Sequence, residues 1–463
     1  MSQNPSQSDK SISFDMMRKI TENPTSKIHF VGIGGVSMYS LARLAMLGSA
    51  GVTGSDREIS ERTKRLSQLG ARIYSEHNAE NVRGADLVVY SHAIAMDNAE
   101  LVYAKENGIP TASRAEYLGA MMQGYKNRIG VSGSHGKSTT VAMLDAIMSM
   151  SGSEPTVLSG AELSGGEPLK LGSKGLMIYE SCEYKDSFLK FSPTISIGLN
   201  LELDHTDYFE SLPDIQRSFK RALGKATDFA VINGDDANFK LFLQDLQTKV
   251  VTFGAGEHNL YRYEITSFRD IGCEFSLSKY GSEIGRFALN IPGSFNVSNA
   301  TAAIVTALEY GVDVETAREA ISKFSGVPRR LEYIGQRWGR AVYYDYAHHP
   351  TEILASVEAL KMLTHEPLTV IFKPHTYTRT KALWHEFVSA LKMADYVILT
   401  DIYPARETAI EGVTSERLAC EVGSRAVYCA DDKVTSVLDR YTKGTIVIMG
   451  AGDMEFIKKE VLK

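Results

Sequence analysis

At 463 residues, with 43% hydrophobic and 23% charged side chains, the chain has an ordinary globular composition and the length of roughly three domains. A net charge of −6 excludes a basic field for nucleic acid or an anionic membrane, and no apolar run reaches bilayer-spanning length. Four scattered cysteines (Cys182, Cys273, Cys420 and Cys429) form no CxxC pair, which predicts thiols in a reducing cytoplasm and argues against a disulfide framework or a zinc site.

Residues 1–26 are polar, lack the apolar core of a signal peptide, and read as a mobile tail or a loosely attached helix. A strand over 27–35 then ends in a glycine turn, followed by a helix over 36–47. Strand and helix alternate through 50–56, 60–69, 71–75 and 85–91, which predicts a small parallel α/β domain over 27–125. The turn Gly32-Ile33-Gly34-Gly35 matches half of a dinucleotide fingerprint, and Asp56 closes the next strand where a ribose-binding acid would stand. Ser37 takes the third glycine position, so these residues leave NAD, another nucleotide diphosphate and a purely structural turn all open.

A second domain, 126–328, opens on a strand-like run over 128–132, the loop GSHGKSTT from Gly133 to Thr140, and an apolar helical stretch over 141–150. Strand, glycine turn and helix N-terminus together make an anion site, where the backbone N–H groups of Gly133, Ser134, His135 and Gly136 converge under the helix dipole. Lys137 adds a full charge for the β- and γ-phosphates of a nucleotide such as ATP, and the hydroxyl of Ser138 or Thr139 can ligate Mg²⁺. The loop is one step off the common pattern, with Val131 standing five residues before Gly136. Further strands are expected over 175–179, 194–200, 228–233 and 249–253, with Glu180 and Asp204-His205 at strand ends. A carboxylate and an imidazole there suit Mg²⁺, while helix capping by Asp204 beside a satisfied histidine is the plainer reading. Between 261 and 291 the period falls to two, which predicts antiparallel hairpins before helices over 297–310 and 314–324.

A third domain, 329–463, repeats the βα rhythm with strands over 341–346, 368–372, 396–400, 426–429 and 445–449. Two of these strands lead into dense polar clusters, Tyr344-Asp345-Tyr346-Ala347-His348-His349-Pro350 and Lys373-Pro374-His375-Thr376-Tyr377-Thr378-Arg379-Thr380. The paired histidines are adjacent and no HExxH spacing exists, so zinc is disfavoured. The whole is an α/β chain of three domains: a Rossmann-like first, a P-loop ATPase-like centre with a hairpin insertion, and a Rossmann-like third.

Ten stretches in order resemble the Mur ligase family: GIGG at Gly32, GSHGKSTT at Gly133, ESCEYKDSFL at Glu180, NLELDHTDYF at Asn200, PGSFNVSNATAA at Pro292, VPRRLE at Val327, YDYAHHPTE at Tyr344, FKPHTYTRT at Phe372, DIYPARE at Asp401 and MGAGDM at Met449. The resemblance implies an ATP- and Mg²⁺-dependent ligase of peptidoglycan precursor synthesis, acting in the cytoplasm through an acyl phosphate. The wording DSFLKF and YDYAHHPTE implies the branch that joins L-alanine to UDP-N-acetylmuramate, ahead of the branch that loads a murein tripeptide. A dehydrogenase would leave the phosphate loop and the third domain without a purpose. By the same resemblance Lys137, Glu180, His205 and Arg330 are catalytic, and Ser138, Glu180 and His205 hold metal. Asn296 and Asn299 match adenine positions, and Arg330 and Asp345 match phosphate and ribose positions. Gly32, Gly34, Gly35, Asp56 and Ser91 would take the UDP moiety. Tyr346, His348, His375 and Arg379 would hold the amino acid and product, with the Arg379 fork pairing bidentately with its carboxylate. Four positions depart from the family pattern: Cys182 replaces an acid, Ser134 and Ser138 stand where Thr is commoner, and Thr376 stands where many members carry Arg. Nothing in the sequence fixes an oligomeric state.

Overall fold

The computed structural model describes residues 12–48, 50–269 and 271–463. They fall into two compact units, one of Met1–Gly130, Ser153–Ile195 and Lys225–Asp228, the other of Val131–Gly152, Ser196–Gly224 and Phe229–Lys463. The first eleven residues of the expected tail lie outside the described residues. The rest takes the helical alternative: Phe14–Glu22 is a helix, N-capped by Ser13 and burying Met17, Ile20 and Thr21. Its sparse apolar residues fall one turn apart on one face, and the Thr21 hydroxyl meets the Tyr117 hydroxyl at 2.9 Å.

In the first unit, five parallel strands lie in the order Arg72–Tyr74, Gly51–Ser55, Lys27–Val31, Leu87–Tyr90, Thr111–Ser113. Helices cover them at Val36–Leu47, Glu61–Gln68, Ala99–Glu106 and Arg114–Met122. Gly32 has a positive φ of 80° and its N–H donates to the Ser55 carbonyl at 2.8 Å, so the strand end folds into a tight turn. Near it, Glu100 is fully buried and accepts from Ser55 Oγ (2.6 Å) and Asn81 Nδ2 (2.7 Å). His77 Nδ1 stands 2.9 Å and His29 Nε2 3.4 Å from the same carboxylate.

In the second unit, three antiparallel strands, Tyr261–Phe268, Cys273–Lys279 and Ser282–Leu289, continue a parallel run of Lys249–Gly254 and Phe229–Asn233. The hairpins expected between 261 and 291 are therefore present. A six-stranded sheet follows in the order Glu332–Arg337, Arg340–Asp345, Thr445–Met449, Leu368–Phe372, Tyr396–Leu399, Ala426–Tyr428, parallel except for the first pair. Val370, Phe372, Val397, Leu399 and Val447 feed one apolar core, and Ile371, Ile398, Ile446 and Ile448 the other. Each strand thus divides its side chains between two buried faces, as a parallel sheet covered on both sides requires. The strands Arg340–Asp345 and Leu368–Phe372 end side by side with Thr445–Met449 between them, and the polar clusters begin there.

Glu100 sets a pH dependence for the first unit. Burial alone would raise its pKa, but His29, Ser55 and Asn81 outweigh that and hold it at about 2, against an ordinary 4.5. The folded value lies below the unfolded one, so the carboxylate stabilises the fold above 4.5 and loses that contribution as pH falls toward 2. We expect Glu100→Gln to lower stability by on the order of 3 kcal/mol at neutral pH, with the gap to wild type closing as acid is added. Chemical denaturation across a pH series reads the gap, and a gap constant in pH would refute the assignment.

Candidate active site

The phosphate loop joins the strand Asn127–Ser132 to the helix Lys137–Met150 and lies within the second unit from Val131 onward. Gly136 caps the helix with φ of 85°, a conformation that favours glycine. A Cβ on Gly136 would also lie 2.4 Å from Asn299 Oδ1, so loop and helix Phe295–Tyr310 touch backbone to side chain. The loop is clamped from below: Ser134 N–H donates to the Asn200 carbonyl (3.1 Å), His135 N–H to Asn200 Oδ1 (2.8 Å), and Glu202 N–H to Ser134 Oγ (2.9 Å). Lys137 folds across it, its ammonium donating to the carbonyls of Gly133 and Ser134.

Beside the loop lies a cavity of about 280 Å³, lined by His135, Gly136, Asn200, Phe295, Asn296, Asn299, Arg330, Asp345 and Glu352 among others. The sequence-derived adenine and ribose residues therefore converge on one cleft with the phosphate loop. Asn299 Nδ2 donates to Asn296 Oδ1 at 3.0 Å, and both amides are buried. Asp345 is buried at the strand end, accepts from Ser356 Oγ, and is pushed up to about 6 by that burial. Thr139 lines the cavity, and Ser138 is buried in the first turn of the loop helix.

The cleft's charge is organised around His135. Its Nδ1 stands 3.2 Å from Glu352 Oε1 and its Nε2 3.3 Å from Glu202 Oε2. Burial opposes a charge there, but the two carboxylates outweigh it and lift His135 to about 9, so the phosphate loop carries an imidazolium beside Lys137. His349 Nδ1 lies 3.6 Å from Glu202, and burial with the neighbouring His135 charge depresses it to about 4. His135, Glu202 and His349 place their donor atoms within 4.8 Å of one another, as metal ligands do. The imidazolium already supplies the positive charge that gathers them. Glu352 also accepts from the His348 backbone N–H (3.0 Å) and faces His348 Nδ1 (3.1 Å) and Arg330 Nη1 (3.9 Å). Burial opposes its ionisation, but the His348 and His135 rings beside it keep its carboxyl far below the ordinary range.

The second cluster adjoins the first. Rings run Tyr346 to His348 (5.3 Å between centroids), His348 to His375 (6.0 Å), and His375 stacked on Tyr403 (5.5 Å). The guanidiniums of Arg329 and Arg330 lie over Tyr346 at 4.8 and 5.0 Å. Arg379 donates from Nε (3.2 Å) and Nη2 (2.9 Å) to Asp204 Oδ1 and faces His375 Nδ1 with Nη1 (3.3 Å). All three of its nitrogens thus meet partners within the protein, and the open bidentate fork expected from sequence is not present. Asp204 caps no helix; it accepts from the His205 N–H (2.7 Å) and pairs with Arg379. Burial opposes its charge, but His205 and Arg379 hold it ionised well below the usual range. His205 has a left-handed φ of 55° and 24% of its side chain exposed. Thr376 has φ of 66°, unusual for a β-branched residue, and its N–H donates to the Tyr403 carbonyl (2.8 Å).

In the first unit, the glycine turn presents Gly35 as a helix N-cap with no side-chain partner. Asp56 turns inward: its two oxygens accept from Gly34 N–H (2.8 Å) and Glu58 N–H (3.2 Å), so it braces the turn. Ser91 Oγ accepts from Ala93 N–H (3.2 Å), and Arg114 donates to Ser37 Oγ (3.1 Å) at the first turn of the helix. Glu180 ends the strand Leu176–Glu180 and accepts from Ser159 Oγ (3.1 Å) and Gly160 N–H (2.5 Å). Glu202, Glu352, Tyr403 and Arg114 escape the sequence reading as site residues. Glu352 carried a signal that pointed elsewhere, because it completes a helix capping box with His349.

Comparison with known proteins follows this geometry. Residues 27–126 match the Mur ligase family catalytic domain, 131–307 the Mur ligase middle domain, and 329–452 the Mur ligase glutamate ligase domain. The chain is 41% identical to the UDP-N-acetylmuramate–L-alanine ligase of Caldanaerobacter subterraneus subsp. tengcongensis, over 94% of this chain and 97% of that protein. It is 39% identical to the protein of that name from Caldicellulosiruptor bescii, covering 95% and 100%. Among solved structures, UDP-N-acetylmuramate-alanine ligase MurC from Thermotoga maritima aligns with a TM-score of 0.81 at 28% identity, over 95% of this chain and 98% of that one. A murein peptide ligase from Psychrobacter arcticus aligns with a TM-score of 0.72 at 25% identity, over the same shares.

Gly136 offers a direct check on the cleft. Gly136→Ala forces a side chain onto Asn299 and strains a left-handed backbone, so nucleotide affinity should fall at least tenfold. Calorimetric titration with an ATP analogue measures it, and unchanged affinity would remove the loop from the nucleotide site.

Proposed function

The chain belongs to the Mur ligase family, and on that premise we propose that it joins L-alanine to UDP-N-acetylmuramate with ATP, releasing ADP and phosphate. The observation that carries this reading is the meeting, within one unit, of the phosphate loop and the His348–His375–Arg379 cluster through Glu352. A carboxylate is a poor electrophile, so the lactyl carboxylate of the sugar first takes the γ-phosphoryl group as an acyl phosphate. The amine of L-alanine then displaces phosphate. Both steps gather anions, and preorganised cations are what such a site must supply.

Lys137 and imidazolium His135 bring positive charge to the phosphates at the start of the helix Lys137–Met150, with Arg330 a further cation on the cavity wall. The Ser134 and His135 N–H groups, expected from sequence to face the anion, are instead held by Asn200 and fix the shape of the loop. Asn296 and Asn299 hold the base, and Asp345 the ribose. The family resemblance gives Ser138, Glu180 and His205 the metal roles; oxygen donors of the first two kinds suit Mg²⁺, which would supply positive charge to the phosphates. Gly32, Gly34, Gly35 and Ser91 bind the UDP moiety, with Asp56 bracing the turn from behind. Tyr346, His348, His375 and Arg379 receive the amino acid. The boundaries that fit this division of labour are 27–125, 126–328 and 329–463. No helix among the described residues is long and apolar enough to cross a membrane. A reaction fed by ATP and a UDP-sugar suits the cytoplasm. The alanine-adding reading is preferred to tripeptide loading because full-length relatives at about 40% identity carry the alanine ligase name.

Phosphate release should therefore need UDP-N-acetylmuramate, ATP, Mg²⁺ and L-alanine together, with none from the murein tripeptide. Preferred use of the tripeptide would move the chain to the other branch of the family. Lys137→Ala should lower turnover by on the order of a hundredfold or more at saturating ATP. Turnover near wild type in that variant would sink the loop assignment.

A further inference from the structure

The amine that attacks an acyl phosphate arrives as an ammonium, so a residue must take its proton before the nitrogen has a lone pair to offer. Five histidines stand in or beside the cleft, and their surroundings separate them. His135 is already an imidazolium, held at about 9 between two carboxylates that outweigh its burial. His349 is buried, caps a helix through Nδ1 and is depressed to about 4. His205 lies against Asp204, itself committed to Arg379. His375 Nδ1 faces Arg379 Nη1, which can only donate, so Nδ1 is the acceptor and Nε2 carries the hydrogen. Burial, His348 and Arg379 push His375 down to about 3, which keeps it a neutral donor.

His348 is built the other way round. Its Nδ1 faces two acceptors, the Tyr346 carbonyl at 3.0 Å and Glu352 Oε2 at 3.1 Å. The hydrogen therefore sits on Nδ1, and Nε2 is left with the lone pair. Its side chain keeps 18% of its surface open, and the ring lies edge-on to both Tyr346 and His375. The charged and titratable groups around it are Glu352 on the helix that follows it, Arg330 and His135 beyond that carboxylate, His375 after the neighbouring strand and Arg379 on the helix beyond it, and Asp204 paired with Arg379.

We propose that His348 is the general base of the amide-forming step, with Glu352 as the positioning residue that fixes its tautomer and stabilises the imidazolium it becomes. The inference rests on the ligase reading above. The ammonium N–H gives its proton to His348 Nε2. The freed nitrogen pair forms the N–C bond at the acyl phosphate carbon, and the C–O bond to phosphate breaks as the tetrahedral adduct collapses. The second nitrogen proton leaves with the phosphate as hydrogen phosphate, and the imidazolium later returns its proton to water. His375, a neutral Nε2–H donor beside it, is suited to the oxyanion of the adduct. The division resembles other pairs of like groups whose environments push them to opposite roles.

Hydroxylamine tests the assignment, because its nitrogen is unprotonated at neutral pH and needs no base. Wild-type enzyme with UDP-N-acetylmuramate, ATP and Mg²⁺ should form a hydroxamate, read by its ferric colour. In His348→Gln, kcat for L-alanine should fall by on the order of a hundredfold, while the ratio of hydroxamate to amide formed rises at least tenfold. Glu352→Gln should raise the same ratio and move the acid limb of the L-alanine kcat profile to lower pH, since a neutral amide stabilises the imidazolium less. Equal losses with both amines in His348→Gln, or a raised KM with kcat restored at saturating L-alanine, would overturn the proposal and leave His348 a binding residue. An acid limb unmoved in Glu352→Gln would overturn the role of Glu352. If wild-type enzyme forms neither amide nor hydroxamate, the ligase reading itself fails, a result distinct from either of these.

Discussion

A site that gathers phosphates must hold cations out of water, and buried cations are stable only beside carboxylates. That constraint shapes the second unit. His135 sits in the phosphate loop as an imidazolium because Glu202 and Glu352 close on both of its ring nitrogens. Removing either acid would strand a buried charge, which is costlier than never having formed the pair. The same two acids reach outward: Glu202 accepts from Thr351 Oγ1 at 2.7 Å, and Glu352 faces His348 and Arg330. The phosphate-loop end and the His348 end of the cleft thus share one set of counterions.

Sharing has a structural consequence. The loop backbone is fixed by Asn200 and Ser134, and the helix Pro350–Thr364 is fixed by a capping box whose acid is Glu352. A single carboxylate therefore satisfies backbone donors at a helix start, an imidazolium on the loop, and the histidine of the acceptor cluster. Small displacements of that helix would change all three contacts together. The Asp204–Arg379 pair adds a tie elsewhere in the unit, between the segment after the strand Ile195–Gly198 and the helix Tyr377–Ala382, with both side chains nearly buried.

The phosphate loop, the glycine turn and most strands were legible in the sequence because each is written in neighbouring residues. Period-two apolar runs, a glycine before Lys137 and an apolar helical stretch are local patterns, and the helix Val36–Leu47 begins and ends where its pattern does. The opening helix was legible only as an alternative to a tail, because its composition is polar and Tyr117, on which it packs, lies far along the chain. The charge pairing was hidden. Glu202 and Thr351 are 149 residues apart, and Asp204 and Arg379 are 175 apart. Both acids stood inside a stretch that marked the family, yet nothing local distinguishes an acid that meets a distant cation from one that caps a turn. Asp56 stands where the sequence expects a ribose acid and also accepts from the backbone N–H groups of Gly34 and Glu58, a bracing role that no local pattern announces.

Gly136 and Asn299 draw a limit on how this cleft could evolve under chemical attack. The amide oxygen of Asn299 fills the space a side chain at Gly136 would need, and its nitrogen is held by Asn296. A small molecule that occupied the cavity by bonding to this amide pair would be anchored on atoms that the loop itself depends on. Substitutions that dislodged such an inhibitor would also deform the nucleotide's own seat. Routes to resistance would then run through the cavity's outer wall, at Phe295 or Ala355, where side chains can change size without moving the loop.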